Sequence, residues 1–211
     1  MHIDPAGWPF VFLGLGVALS AGFLFGSVAG VVAMLLPLVF LLFFRDPHRT
    51  IRAAAQDVLS PADGRVMIVG PPTGSFSSAE WTQVSIFLSP LNVHVNRLPV
   101  SGRVTQVTYH PGRFLPAYRL EAGHLNEHAE VTIDHGGQIV VVRQVVGRLA
   151  RRVVCRVREG DVVEAGDRFG VMKFGSRMDI IMPVDTTVFA QVGDRVVAGV
   201  TRLATLAERD R

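Results

Sequence analysis

Charged residues are missing from one long stretch of this 211-residue chain, and cysteine and lysine are nearly missing from all of it. The single cysteine, Cys155, excludes an internal disulfide and a cysteine-based metal cluster, so a reducing compartment is the default expectation. Lys173 is the only lysine, and the formal net charge of +3 therefore comes from arginine. This excess is too small and dispersed to indicate a nucleic-acid partner, but it suits an anionic membrane surface or an acidic substrate.

The uncharged stretch lies near the start of the chain, between Pro5 and Phe44. As a single helix, residues 8–44 would be about 55 Å long, far more than the roughly 30 Å hydrocarbon core of a bilayer. We therefore expect a break near Ser20-Ala21-Gly22 or at Gly26-Ser27. The sequence predicts a membrane anchor over residues 1–45, built as two short hydrophobic helices or a re-entrant hairpin.

Basic residues follow the anchor at once: Arg45, Arg49 and Arg52. Positive charge next to a hydrophobic segment marks the cytoplasmic side of a membrane. The sequence thus predicts attachment to the cell (inner) membrane, with residues 46–211 on the cytoplasmic face.

Residues 46–211 carry short apolar runs separated by turn residues, which is typical of β structure. Asp63-Gly64 is a strong turn signal, and Gln83–Leu88 has the pattern of a buried strand. Helical patterns are confined to residues 50–57 and 203–209. We predict a mainly β fold, a barrel-sandwich or hammerhead-like soluble domain with a few short helices, preceded by an N-terminal hydrophobic helical hairpin.

One alternative function is a membrane-anchored biotinyl/lipoyl-like carrier module. Glu159–Asp167 has the turn-strand-turn pattern of such modules, and Lys173 follows Met172 as a modified lysine would. A carrier domain, however, is only about half as long as this soluble region. It also gives no role to the Phe-Gly-Ser-Arg that follows Lys173.

A second alternative is a zinc protease using His124, Glu127 and His128. These residues match the H-x-x-E-H pattern of inverted zinc proteases. That chemistry needs both histidines on one face of a helix, whereas this stretch lies between a glycine-containing loop and a strand-like segment. We expect no metal site here.

Four further motifs occur in a fixed order: Phe43–Pro47, Ser60–Gly64, Phe87–Arg97 and Phe174–Arg177. Together they strongly resemble the short-chain, pyruvoyl-dependent branch of the phosphatidylserine decarboxylases, including the archaetidylserine decarboxylase-like members. The resemblance runs from the hydrophobic N-terminus to about Pro183, which is nearly the whole chain. It implies an enzyme of phospholipid biosynthesis that decarboxylates the serine headgroup of a membrane lipid.

The resemblance also implies a zymogen that cuts itself between Gly175 and Ser176. Residues 1–175 and 176–211 would remain together as a heterodimer, and homo-oligomerisation is left open. Ser176 would become a covalent pyruvoyl group that forms a Schiff base with the headgroup amine and draws electrons as CO2 leaves. Pyridoxal phosphate would need an internal lysine, and only Lys173 is available, so a self-made carbonyl is the more economical cofactor.

His94 and Asp63 are the other catalytic candidates that the resemblance implies. His94, oriented by Asp63, would take the proton of the Ser176 hydroxyl as that oxygen attacks the Gly175 carbonyl. The longer branch of the family has a second histidine where this chain has Arg97, which cannot act as a base. His94 must then serve both steps, or another base must act.

Arginines are the expected ligands of the lipid phosphate or carboxylate. The sequence does not distinguish among the candidates Arg97, Arg113, Arg119 and Arg177.

Overall fold

Helices occupy the N-terminus of the chain, and strands make up most of the rest. The computed structural model describes residues 2–72, 76, 79–148, 153–172 and 176–208. The α-helices are α1 (Trp8–Phe25), α2 (Ser27–Ala33), α3 (Leu35–Phe43) and α4 (Ala122–Leu125), and a 3-10 turn at Pro5–Gly7 precedes α1. The strands are β1 (His2–Ile3), β2 (Arg45–Asp46), β3 (Asp57–Leu59), β4 (Gly64–Gly70), β5 (Trp81–Leu88), β6 (Val95–Arg97), β7 (Gly102–His110), β8 (His128–His135), β9 (Gln138–Val145), β10 (Val153–Cys155), β11 (Val162–Val163), β12 (Arg168–Met172), β13 (Ser176–Pro183), β14 (Thr187–Val188), β15 (Arg195–Val196) and β16 (Arg202–Thr205).

Helices α1 to α3 form a hydrophobic hairpin. The chain reverses at Gly26, whose φ of +91° is a conformation that glycine adopts without strain. The helices approach closely because both sides carry glycine: a Cβ added to Gly30 would lie 2.9 Å from the Cα of Gly22. Of the two predicted break points, Gly26-Ser27 is the one used. The segment Pro5–Phe25 is long and apolar enough to cross a membrane, whereas Ser27–Phe43 is shorter.

The base of the hairpin is fastened to the β domain. Strands β1 and β2 pair on either side of it, which brings the two ends of the hairpin together. Asp4 forms an ion pair with Arg156 at 2.6 Å, and Asp46 forms one with Arg97 at 3.0 Å. Both carboxylates are buried, so the hairpin has a defined position relative to the domain.

An antiparallel sheet of eight strands, curled into half a barrel, dominates the domain. Its order is β11-β7-β8-β9-β13-β5-β4-β15, and two smaller sheets, β10-β12-β6 and β14-β16-β3, pack against it. Strand β13 lies inside the large sheet, hydrogen-bonded to β9 on one side and β5 on the other. The prediction of a mainly β domain behind an N-terminal hydrophobic hairpin is confirmed.

Cross-strand register places one row of side chains along the outer face of this sheet. Arg177 lies opposite Phe87, Phe87 lies opposite Arg65, and Arg65 lies opposite Arg195. The neighbouring row begins with Ser176, which lies opposite Leu88. Side chains alternate between faces along a strand, so Leu88 points into the apolar core and Phe87 points away from it.

Two helical predictions are wrong. Residues 50–56 are irregular, with a turn closed by the hydrogen bond from the Asp57 amide to the Ala54 carbonyl. Ile51 packs so closely on Gly166 that a Cβ there would lie 2.8 Å from it, which holds this segment flat against the domain. Strand β16 and irregular residues 206–208 occupy the second predicted helix, because the strand completes a small sheet with β3 and β14.

Candidate active site

Ser176 is the first residue of β13 and is fully buried. Its hydroxyl oxygen has no hydrogen-bond partner within the described part of the chain. Most buried hydroxyls have a hydrogen-bond partner, so one that lacks a partner among the described residues is a candidate for chemistry. The predicted cleavage partner Gly175, together with Lys173 and Phe174, lies outside the described residues.

His94 follows a tight turn that begins directly after Leu88, the residue opposite Ser176. Asn92 closes this turn with two hydrogen bonds. Its side-chain Oδ1 accepts from the Ser89 backbone amide at 2.9 Å, and its backbone amide donates to the Ser89 carbonyl at 2.9 Å. On the other side of the site, the His94 carbonyl accepts from the Met172 amide at 3.2 Å, four residues before Ser176. Hydrogen bonds thus connect the His94 segment to β12, which precedes Ser176, and to the end of β5, which lies opposite Ser176.

The imidazole of His94 is held as a neutral base. Its Nδ1 lies 2.9 Å from the Asn92 carbonyl oxygen, which can only accept, so Nδ1 carries the proton and Nε2 has the free lone pair. Nε2 is buried and has no hydrogen-bond partner among the described residues. The pKa of His94 is lowered to about 4, mainly by burial and also by the charge of Arg45, against the opposing effects of Asn92 and Asp63. This is the protonation state that a general base needs at neutral pH.

Phe43, in the last turn of α3, covers His94. The two rings stack with centroids 4.1 Å apart and an interplanar angle of 28°, and Phe43 is itself buried. Arg45 fixes the same corner, donating to the Leu42 carbonyl at 2.6 Å and to the Leu91 carbonyl in the turn before His94 at 2.8 Å. The inner end of the hairpin is therefore one wall of the candidate site.

Asp63 lies close enough to affect the pKa of His94, but its carboxylate is engaged elsewhere. One oxygen accepts from Arg49 at 2.8 Å, and the other accepts from the Ala198 amide at 2.8 Å. The contact that orients the imidazole comes from Asn92 instead of the predicted Asp63. A catalytic part for Asp63 stays a prediction.

Two of the arginines predicted to bind substrate have internal partners. Arg97 donates to Asp46 at 3.0 Å and to the Gly166 carbonyl at 2.9 Å, and burial lowers the pKa of its guanidinium despite Asp46. Arg177 is 1% exposed and binds Asp179 at 2.5 Å. Both guanidinium groups thus have partners within the protein, and the assignment of Arg97 and Arg177 as substrate ligands stays a prediction.

The other two predicted arginines lie in the long loop after β7. The backbone of Arg113 forms a bridge to Asn126, and its side chain is exposed. Arg119 is also exposed, and its carbonyl accepts from Arg177 at 3.3 Å. Their assignment as substrate ligands stays a prediction.

The residues of the H-x-x-E-H pattern are not on one helix. His124 lies in α4, which ends at Leu125, while His128 begins β8. His128 instead stacks on His110, with centroids 4.5 Å apart and ring planes only 19° from parallel. The ligand atoms of His110, His128 and Glu130 lie within 4.8 Å of one another, but this group does not include His124 or Glu127, and Glu130 is paired with Arg143 at 2.6 Å. The zinc-protease alternative therefore lacks its required geometry.

Sequence reasoning missed three contributors: Phe43, Arg49 and Asn92. Phe43 and Asn92 both lie inside motifs of the family resemblance. The sequence gives Phe43 no separate role, because an aromatic residue in a hydrophobic run is typical of a membrane anchor. Only the fold reveals that the end of α3 meets the turn before His94. In the sequence Arg49 indicates only membrane topology, whereas in the structure it forms an ion pair with Asp63 at 2.8 Å.

Comparison with known proteins identifies relatives over almost the whole chain. The family model described as phosphatidylserine decarboxylase matches residues 36–204. A phosphatidylserine decarboxylase proenzyme of Pelodictyon phaeoclathratiforme is 48% identical over 170 residues, covering 80% of each chain. The proenzyme of Chlorobium limicola is 40% identical over 209 residues, covering 96% of this chain and 99% of the relative. That of Polynucleobacter asymbioticus is 38% identical over 209 residues, covering 99% and 97%.

Proposed function

Because the chain belongs to the phosphatidylserine decarboxylase family, whose members are carboxy-lyases, we propose that it converts phosphatidylserine to phosphatidylethanolamine and CO2 by means of a pyruvoyl group made from Ser176. The observation that carries the proposal is two buried atoms that have no hydrogen-bond partner among the described residues, Ser176 Oγ and His94 Nε2. One is a nucleophile and the other is a base held neutral. They belong to segments joined by the pairing of Ser176 with Leu88 and by the turn that follows Leu88.

Self-cleavage follows from these residue types. His94 Nε2 takes the hydroxyl proton of Ser176 while Oγ attacks the Gly175 carbonyl carbon. The C–N bond then breaks to leave an ester, and the proton passes from His94 to the freed Ser176 amine. Loss of the Ser176 α-proton then expels the Gly175 carboxylate and leaves dehydroalanine. Addition of one water and release of one ammonia converts that residue into a pyruvoyl group at the start of the smaller fragment.

The surroundings of Ser176 suit such a group. The position is buried at a strand end, and the uncharged imidazole of His94 is covered by the apolar ring of Phe43. When present, the pyruvoyl carbonyl supplies an electron sink for loss of the substrate carboxylate. His94 Nε2 can return a proton to the headgroup carbon, because a histidine whose pKa is lowered is a strong donor once protonated. Phe43 and the close packing around the ring exclude water from this proton transfer.

The two fragments are held together by the sheet. Cleavage before Ser176 frees the start of β13, but β13 remains hydrogen-bonded to β5 and β9, which belong to the larger fragment. Strands β15 and β16 of the smaller fragment pair with β4 and β3 of the larger one. A heterodimer of residues 1–175 and 176–211 is therefore the expected mature form.

Membrane attachment is the proposed role of the hairpin, with the domain on the cytoplasmic face. The outer surface of the hairpin exposes large apolar side chains, including Leu19, Phe23 and Phe25, which water solvates poorly. Labelling of a Ser27→Cys variant at the hairpin tip, in a Cys155→Ser background, distinguishes a spanning hairpin from a re-entrant one. Release of the chain from membranes by alkaline carbonate would contradict the attachment.

The activity is tested by incubating the purified protein with phosphatidylserine in detergent micelles and measuring CO2 and the ethanolamine lipid. The wild-type chain should produce both in equal amounts. Ser176→Ala should produce neither and should remain one uncut chain, since it lacks the nucleophile. His94→Gln keeps the size of the side chain but removes the base, so we expect cleavage to slow by at least about 100-fold. Decarboxylation by uncut Ser176→Ala would refute the proposed cofactor.

A further inference from the structure

Two amide side chains, Asn96 and Gln144, are buried beside the candidate catalytic residues and have not been given a role. Both are fully buried, as are His94 and Ser176. Seven buried side-chain atoms in the described part of the chain lack a hydrogen-bond partner, and four of them belong to these residues: His94 Nε2, Asn96 Nδ2, Gln144 Oε1 and Ser176 Oγ. Leaving buried polar atoms unpaired is costly, so four of them in one region make it a candidate for binding a polar ligand.

Gln144 and Ser176 lie on the same, core-facing side of the large sheet. Gln144 in β9 is directly opposite Met178 in β13, and Met178 belongs to the hydrophobic core. Ser176 is two residues before Met178, and side chains two positions apart on a strand point to the same face. Gln144 is therefore the diagonal neighbour of Ser176, with about 7–8 Å between their Cα atoms, a distance that a long side chain can span.

Asn96 reaches Gln144 from the smaller sheet β10-β12-β6. Its Oδ1 accepts from Gln144 Nε2 at 2.9 Å, and the same Nε2 donates to the Val154 carbonyl at 3.4 Å. Strand β12 leaves room for this contact because it has Gly170 opposite Asn96: a Cβ on Gly170 would lie 2.5 Å from Gln144 Nε2. The contact leaves Asn96 Nδ2 as a donor and Gln144 Oε1 as an acceptor, neither with a partner among the described residues.

His94 is on the same side of its segment as Asn96. The two residues are two positions apart, and the residues that alternate with them, Val93 and Val95, pack together in a separate apolar cluster. His94 and Asn96 therefore both point away from that cluster, toward the region that holds Gln144. The amide pair thus lies between the proposed base and the strand that begins with Ser176.

A donor and an acceptor side by side match the chemistry of an α-amino acid. The carboxylate of a serine headgroup accepts hydrogen bonds, and its amine donates them. The amides are also uncharged, which suits a decarboxylation. A cation would stabilise the carboxylate of the bound substrate more than the transition state, in which that negative charge is leaving, whereas a neutral donor does so less strongly.

We propose that Asn96 and Gln144 form the site that recognises the amino-acid part of the lipid headgroup at residue 176. Asn96 Nδ2 donates to the carboxylate, and Gln144 Oε1 accepts from the amine. This inference rests on the proposed function. The region is enclosed in the uncut chain, so the proposal concerns the self-cleaved form, in which residue 176 is a chain end.

The test uses two soluble inhibitors that lack the reacting amine. Dihexanoylphosphatidyl-3-hydroxypropionate keeps the phosphodiester and the carboxylate, and its methyl ester has lost the negative charge. The acid should inhibit self-cleaved wild type at least about tenfold more strongly than the ester, because hydrogen bonds to charged groups are the stronger ones. Asn96→Leu removes the donor and should make the two inhibitors equal, without weakening inhibition by the ester. Asn96→Asp keeps the shape of the side chain and should also lose the preference at pH 8, where its carboxylate repels that of the inhibitor.

Gln144→Met keeps the length of the side chain but removes the acceptor. It should lower kcat/KM for dihexanoylphosphatidylserine about tenfold or more. Gln138→Met is the matched control, because Gln138 lies in the same strand, is also buried and also has an Oε1 without a partner among the described residues. It is at the other end of β9, about 20 Å from Gln144, and should leave both kcat/KM and the preference for the acid unchanged.

Equal inhibition of wild type by acid and ester would overturn the proposal, and so would a preference for the acid that survives in Asn96→Leu. If the leucine variant stays uncut, Asn96→Asp and the wild-type comparison still decide. Release of CO2 is measured in the same samples. Its absence in wild type would refute the proposed function, whereas CO2 release with equal inhibition would count against the amide pair alone.

Discussion

Replacement of Phe43 should make self-cleavage sensitive to acid. Phe43 stacks on the imidazole of His94 and keeps it from water, and burial is the main reason why the pKa of His94 falls to about 4. Opening this cover in Phe43→Ala lets water reach the ring and should return the pKa toward its ordinary value near 6.5. The base is then protonated over a range in which the wild-type base is neutral.

The size of the effect follows from the two pKa values. At pH 5 a histidine of pKa about 4 is roughly 90% neutral, whereas one of pKa about 6.5 is only about 3% neutral. At pH 8 both are neutral. Wild type should therefore cleave at nearly the same rate at pH 5 and pH 8, while Phe43→Ala should lose up to about 30-fold between them.

The assay is a time course of chain cleavage. The precursor is made in a short cell-free synthesis with nanodiscs, transferred to each pH, and followed by gel electrophoresis. Comparing the ratio of rates within each variant cancels any general loss of activity from poorer packing. Phe40→Ala is the matched control, because Phe40 lies one turn earlier in α3 and packs on Phe10. A 30-fold loss in wild type, or an unchanged profile in Phe43→Ala, would refute the reasoning.

Three further predictions concern stability and assembly. Arg177→Met leaves Asp179 buried without its ion-pair partner and should lower the free energy of unfolding by about 3–5 kcal/mol. The melting temperature should fall accordingly, whereas it should not change in the control Arg158→Met. Gly64→Ala would place a Cβ 2.2 Å from the Phe87 carbonyl oxygen, so it should lower the free energy of unfolding by about 1–3 kcal/mol. It should also slow cleavage by shifting the adjoining turn, and wild-type stability and rate in this variant would contradict the prediction. The two fragments should co-elute in size-exclusion chromatography without denaturant, because β13 is hydrogen-bonded on both sides, and a smaller fragment eluting alone would count against the shared sheet.

Local pattern was enough to predict the class of fold. The uncharged run from Pro5 to Phe44 specified the hairpin, and glycine at position 26 accounts for its break. Alternating apolar residues and Asp-Gly turns specified the strands. The helix predicted at residues 50–57 failed because Ile51 packs on Gly166, a residue more than a hundred positions away, and tertiary contact outweighed local propensity.

The candidate site was predictable only in part, for a similar reason. Ser176 and His94 stand in recognisable motifs, and the fold joins their segments through Leu88 and Met172. The role of Phe43 depends on where α3 ends in space, which no residue spacing encodes.

The central claim is that Ser176 ceases to be serine in the active protein, and intact mass tests it most directly. The purified chain should appear as two species divided between Gly175 and Ser176. The smaller one should be lighter by one ammonia than a fragment beginning with serine, and it should resist Edman degradation because it has no free amine. A single full-length mass in protein that decarboxylates phosphatidylserine, or a smaller fragment beginning with intact serine, would contradict the account.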